Sequence, residues 1–262
     1  MGAGWAFDGA GKELATRFLL AFGVLFCRAG ACLMLAPGVS MGQIPVHVRL
    51  FIAVAVTFSL TPALLGVVDL EQLDGGAAEL ARMLVSEILV GGLMGLLARL
   101  FLLALQALFT GIATMLGFAN PFGVQVEAGE ILPPLATFIS LAATALIFIT
   151  DMHWEILRGL VASYSVVPLG RGVKIDFALR HVTEALSESF RLSLRISSPF
   201  FLYAGSVNLA VSLISRLTPK ISIFYISSPF VLMGGMYLLY LTVASSLIAF
   251  DAGVESWMKF GG

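Results

Sequence analysis

The chain has 262 residues, of which 59% are hydrophobic and only 12% are charged, and its formal net charge is -1. This composition leaves too little polar surface to cover a soluble domain, and the balanced charge excludes the basic surface of a nucleic-acid-binding protein. The sequence is therefore that of an integral membrane protein.

The apolar residues fall into about six segments along the chain. These cover residues 18–36, 50–68, 83–119, 135–150, 190–215 and 221–250. The apolar runs are continuous rather than alternating, which excludes a transmembrane β-barrel and favours helices. No linker or low-complexity stretch divides the chain. We therefore predict one all-α, polytopic membrane domain, residues 1–262, built of long helical hairpins.

Two of these segments have lengths that do not suit a simple crossing of the bilayer. A helix over residues 83–119 would be roughly 55 Å long, whereas the hydrocarbon core is roughly 30 Å thick. This helix must break, tilt strongly or leave the bilayer. Segment 135–150 is too short, because polar residues begin at Asp151 before the usual spanning length of about 20 residues is reached.

Charged residues lie inside the apolar segments, where a side chain facing lipid costs roughly 2.5–3.5 kcal/mol even on a lenient scale. Each of these charges therefore needs a partner in protein or water. They are Arg28, Glu87, Arg99, Arg191 and Arg195.

Gly91 and Gly95 lie four residues apart in the third segment. This Gly-x-x-x-Gly spacing places both glycines on one face of a helix and permits close approach of another backbone. We expect a second helix to pack directly against them.

The third segment ends in a stretch, residues 111–125, where glycine, asparagine and proline release backbone groups that lipid cannot satisfy. Such backbone must face protein or a water-filled cavity. Large apolar side chains alternate here with small residues, a pattern typical of a constriction that closes by packing and opens by movement. An ordinary loop between helices fits the residues as well. The residues concerned are Met115, Gly117, Phe118, Asn120, Pro121 and Phe122.

Other motif-like strings indicate no chemistry. Residues 38–42 match the G-x-S-x-G nucleophile pattern, but they follow a proline in a loop and lack the strand-to-helix context that exposes the serine. His153 has carboxylates two residues away on each side, and that spacing places neighbours on nearly opposite sides of a helix. We predict no catalytic, cofactor-binding or metal-binding residues, and a protein that is not an enzyme.

The stretch before the fifth segment is amphipathic. Residues 171–188 place charged side chains, among them Arg171 and Lys174, between apolar positions. A solvated connector and a helix lying on the lipid surface both fit this pattern, and we favour the connector.

The last two segments form a hairpin over residues 190–250. The charged turn from Arg216 to Lys220 is too short for anything but a tight connection between helices. Asn208 and Arg216 are polar positions on an otherwise apolar arm of this hairpin.

The order of these features resembles the FliR/SctT family, the export-gate subunits of flagellar and injectisome type III secretion systems. The similarity covers most of the chain and depends on collinear spacing rather than on any single motif. One departure lies at Asn120-Pro121, where the family has a longer stretch that ends in an acidic residue and proline. The matching residues are Arg28, Pro37, Ile44, Pro45, Arg49, Pro62, Glu87, Gly91, Gly95, Gln106, Gly111, Gly117, His153, Pro168, Leu169, Gly170, Pro199, Asn208, Arg216, Pro219, Ile223, Phe224 and Pro229.

The resemblance implies a FliP-like part followed by a FliQ-like hairpin. Such a chain would assemble with several FliP-like and FliQ-like subunits in the bacterial inner membrane, at the flagellar basal body, and contact a FlhB-like switch protein. Residues 111–125 would match the family's channel plug, and unfolded flagellar proteins would pass through the gate. Polar residues within apolar helices would contact neighbouring subunits; these are Arg28, Glu87, Arg99, Asn208 and Arg216.

Two other interpretations remain open. The chain would serve an injectisome rather than a flagellum if it were an SctT-type member, although the stretch from Phe26 to Phe51 looks most like flagellar members. A self-sufficient polytopic permease would carry an internal repeat with broken helices, and the sequence shows no such repeat.

Overall fold

The computed structural model describes residues 9–40, 44–64, 76–116, 133–218 and 223–260. All the regular structure within these ranges is α-helical, which confirms the predicted fold class. Five helices are long and apolar enough to cross a membrane, and a bent pair adds a sixth candidate. The helices are α1 (Gly9–Leu35), α2 (Val46–Leu64), α3 (Ala77–Met115), α4 (Pro134–Ile149), α5 (Met152–Val166), α6 (Ile175–Leu217) and α7 (Ile223–Phe260).

Helix α3 shows whether the long third segment breaks, which was one of three alternatives for it. It runs unbroken for 39 residues, from Ala77 to Met115, although it contains several glycines. At about 1.5 Å per residue it is roughly 58 Å long, nearly twice the hydrocarbon thickness. A break within these residues is therefore excluded, and strong tilt or departure from the bilayer remains.

The short fourth segment is half of a bent pair that the sequence did not reveal. Helix α4 has 16 residues, and α5 follows at an angle of 70° after a turn at Thr150 and Asp151. Asp151 has a φ of 59°, a left-handed conformation that ends the regular helix and bends the chain there. The polar residues that begin at Asp151 therefore mark a bend between two helices and not the end of helical structure.

The C-terminal hairpin has longer arms than predicted. Helix α6 begins at Ile175, so residues 175–188 of the amphipathic stretch belong to it, and α7 extends to Phe260. Pro199 lies inside α6 and cannot donate to the Arg195 carbonyl; the Ser198 hydroxyl donates to that carbonyl instead, at 2.9 Å. The arms contact each other where the Tyr203 hydroxyl donates to the Val231 carbonyl at 3.0 Å.

The chain divides into two compact units. Unit 1 comprises Met1–Arg99 with Trp154–Val182, and unit 2 comprises Leu100–His153 with Thr183–Gly262. In unit 1, α1, the first part of α3 and α5 share a core that includes Leu25, Met83 and Tyr164.

The core of unit 2 joins the second part of α3 to α4, α6 and α7. Phe109 and Phe200 meet edge to face in it, with ring centroids 5.3 Å apart. Aromatic pairs of this kind add about 0.5–1.5 kcal/mol beyond the area that they bury. The prediction that residues 1–262 act as a single domain stays a prediction.

Candidate functional site: a buried ion-pair cluster and the end of α3

Arg28 on α1 and Glu87 on α3 form an ion pair inside unit 1. The Arg28 Nε donates to Glu87 Oε2 at 2.6 Å, and Nη2 donates to Oε1 at 3.0 Å. Both side chains have an exposure of 0%. This two-pronged geometry is the strongest arrangement open to an arginine and a carboxylate.

Further groups complete the hydrogen bonding of the pair. Arg28 also donates to the Ser163 hydroxyl at 3.2 Å and to the Val167 carbonyl at 3.0 Å. The backbone N–H of Gly170 donates to Glu87 Oε1 at 3.1 Å. The guanidinium carbon lies 4.1 Å from the ring centroid of Tyr164. We call these six residues, Arg28, Glu87, Ser163, Tyr164, Val167 and Gly170, the buried cluster.

The glycines of α3 bring α1 close enough to form this cluster. A Cβ atom on Gly91 would clash with the carbonyl oxygen of Arg28, and one on Gly95 would lie within 2.9 Å of Leu35 Cβ and clash with the Cys32 carbonyl. The prediction of direct helix packing at Gly91 and Gly95 is therefore confirmed. Since Glu87, Gly91 and Gly95 are four residues apart, the ion pair and the close contacts lie on one face of α3.

The buried cluster connects parts of the chain that the sequence presented as separate landmarks. Arg28, Glu87 and the turn at Pro168–Gly170 lie far apart in sequence yet meet at one point. Glu87 is the only acidic member of the five charges within apolar segments, so pairing with an arginine could be expected. The choice of Arg28, and the contribution of Ser163 and Tyr164 from the unpredicted helix α5, left no signal in the sequence.

This geometry corrects the role predicted for Arg28 and Glu87. We expected both to contact neighbouring subunits, but each is fully buried and pairs with the other within one chain. The cluster holds α1, α3 and α5 together.

The remaining charged and polar candidates lie elsewhere. Arg99 is half-buried on α3, and Arg216 is exposed in the last turn of α6. The Asn208 side chain donates to the Met115 carbonyl at 2.9 Å, across unit 2. Since the last four carbonyls of a helix lack partners within it, this bond satisfies one of them at the end of α3.

A cavity of about 300 Å³ lies beside that helix end. Polar side chains from α3, α6 and α7 line it together with apolar ones, and Met115 is 42% exposed there. Gly117, Phe118, Asn120, Pro121 and Phe122 of the predicted plug lie outside the described residues. Among the residues that the structure does describe, no group of three His, Cys, Asp or Glu side chains could hold a metal ion.

Comparison with known proteins shows one consistent family. The model of the bacterial export proteins, family 1, matches residues 19–256. The flagellar biosynthetic protein FliR of Caulobacter vibrioides is 29% identical over 223 residues, which cover 84% of this chain and 87% of that protein. FliR of Escherichia coli is 27% identical over 81% of this chain and 80% of its own length, and FliR of Aquifex aeolicus is 25% identical over 95% of both.

Proposed function

Since this chain belongs to the bacterial export proteins, family 1, and is a membrane component of the flagellar type III export gate, we propose that it forms part of the channel wall and helps to close the channel. We propose FliP-like and FliQ-like subunits and a FlhB-like switch protein as its neighbours, in the inner membrane at the basal body. Unfolded flagellar proteins are the proposed cargo. The activity is transport and not catalysis.

The observation that carries this proposal is the surface of α6. This helix has 43 residues, roughly 64 Å, which is about twice what a bilayer crossing needs. Arg191 and Arg195 are exposed on it, and so are Phe190 and Leu194. A surface that mixes charges with large apolar groups suits neither lipid nor water alone. Burial against neighbouring subunits satisfies both kinds of side chain.

Purification from the native membrane tests this assignment. We expect the tagged full-length chain, extracted in mild detergent, to carry several other membrane subunits of the export apparatus in a fixed ratio, measured by mass analysis. A chain that purifies alone, remains monodisperse and transports a small solute after reconstitution would be a permease, and the gate assignment would be wrong.

The end of α3 supports a role in closing the channel. Met115 is exposed next to the cavity in unit 2, and the Asn208 side chain holds its carbonyl in place. Met115 lies within residues 111–125, and Phe118 and Phe122 follow this anchored position three and seven residues later in the sequence. We propose that Met115, together with Phe118 and Phe122, blocks the closed channel by packing.

Smaller side chains at these positions should open a leak. Replacing Met115, Phe118 and Phe122 together with alanine removes the bulky groups of the proposed constriction, so water and ions can enter. We expect faster influx of a small solute in cells that carry the assembled gate, measured by osmotic or conductivity assays. Alanine at Leu103, an exposed apolar residue on α3, is the control and should leave the membrane tight. Equal tightness of the triple variant would exclude these residues as the block.

A further inference from the structure

A second cavity, in unit 1, is lined by cations. It has a volume of about 600 Å³ and lies between the start of α3 and the turn that leads into α6. Arg82, Arg171 and Lys174 line it, and its described lining includes no carboxylate. Glu79 pairs with Arg82 at 3.2 Å on the surface of α3 but does not line the cavity. The cavity therefore presents an excess of positive charge.

The turn that carries two of these cations is held in place by the buried cluster. Gly170 has a φ of 73° and donates its N–H to Glu87, which fixes the backbone directly before Arg171. Gly172 has a φ of 65°, and a Cβ there would lie 3.7 Å from the Cβ of Ser86 on α3. Helix α6, with Asp176 in its first turn, begins directly after Lys174. The backbone positions that carry Arg171 and Lys174 are thus set by the fold.

Apolar side chains lie beside the cations. Val166 and Phe177 line the same cavity and are 67% and 45% exposed, and the neighbouring Ile175 is 76% exposed. A soluble anion gains nothing from such groups, whereas the acyl chains of a lipid do. The cavity also lies at the beginning of α3, a candidate membrane span whose apolar segment starts at residue 83, next to Arg82. Lipid headgroups meet a protein at such helix ends.

We propose that this cavity binds the phosphate headgroup of an anionic phospholipid, with Arg171, Lys174 and Arg82 around the phosphate and with Val166 and Phe177 against the start of the acyl chains. The binding is independent of the channel function. The sequence allowed two interpretations of residues 171–188, a solvated connector and a helix on the lipid surface. The proposed site favours contact with lipid.

Native mass spectrometry can test this site on the full-length chain, purified in mild detergent with the subunits that accompany it. Phosphatidylglycerol and phosphatidylcholine with the same acyl chains are added in turn. We expect phosphatidylglycerol to bind more tightly, and the double variant Arg171→Gln with Lys174→Gln to bind it about thirtyfold more weakly, since the two cations together contribute on the order of 2 kcal/mol near a lipid surface. Higher ammonium acetate concentration should weaken phosphatidylglycerol binding to the unaltered protein, a measurement that needs no variant.

The matched control is Arg158→Gln with Arg180→Gln, which removes the same charge from exposed positions of unit 1 that do not line the cavity. It should bind phosphatidylglycerol as the unaltered protein does. Equal binding of both lipids, or an equal loss in both double variants, would overturn the proposal. Displacement of the lipid by soluble glycerol phosphate at the same concentration would overturn it too, because the site would then recognise a free phosphate and not a lipid.

Discussion

Replacing Glu87 with alanine should lower the free energy of unfolding by about 3–5 kcal/mol, the range found when one partner of a buried ion pair is removed. The Arg28 guanidinium would remain at 0% exposure without its carboxylate, and the Gly170 N–H would lose its acceptor. Thermal unfolding of the purified chain in detergent measures the loss. We expect native gels to show much less of this variant incorporated into the membrane complex.

Glu79→Ala is the matched control for this experiment. Glu79 lies on the same helix and also pairs with an arginine, but its side chain and that of Arg82 are 57% and 69% exposed. An exposed pair of this kind contributes about 0–1 kcal/mol. The double change Arg28→Met with Glu87→Leu should recover much of the stability, since it leaves no unpaired charge. If Glu87→Ala were as stable as Glu79→Ala, the cluster would not hold unit 1 together.

Replacing Gly91 with alanine should be nearly as damaging as the loss of Glu87. The new Cβ would collide with the backbone of Arg28, its Cα lying 2.9 Å away, and a helix backbone cannot move aside as a flexible side chain can. Overpacking of this kind costs about 1–3 kcal/mol, and we expect the upper end because α1 must shift along with the ion pair. The same unfolding measurement in detergent records the effect.

Gly92→Ala provides the comparison, one residue further along α3. A Cβ at Gly92 would meet only Leu35 Cδ1 at 3.8 Å, an ordinary van der Waals distance. Alanine also favours a helix over glycine by about 0.5–1 kcal/mol, so this variant should be as stable as the unaltered chain or slightly more so. Equal stability of the Gly91 and Gly92 variants would show that α1 and α3 do not approach as closely as described.

Composition and periodicity were sufficient to predict the fold class, because continuous apolar runs with so few charges leave only membrane helices as a solution. The Gly91-x-x-x-Gly95 contact was predictable for a similar reason, since the spacing alone places both glycines on one face. Helix α5 could not be predicted, because the polar residues Asp151, His153 and Glu155 look like the end of a membrane segment. The structure shows that they accompany a bend between two helices.

The partners of the charges could not be predicted from the sequence. Four arginines in apolar segments could have paired with Glu87. Which of them does so depends on which helices pack together, and the sequence alone does not show this. The resemblance to a family of subunits led us to assign Arg28 and Glu87 to contacts between chains. The 0% exposure of both side chains shows that the fold had already satisfied them.

Arg28 contacts α3 twice, through its side chain at Glu87 and through its carbonyl group at Gly91, one helical turn further on. A slide of α1 along α3 by one turn, roughly 5.4 Å, would place the guanidinium opposite Gly91 and separate the two charges. Electrostatics and shape therefore specify the same register. The two helices therefore resist sliding past each other, and a force along α1 is transmitted to α3.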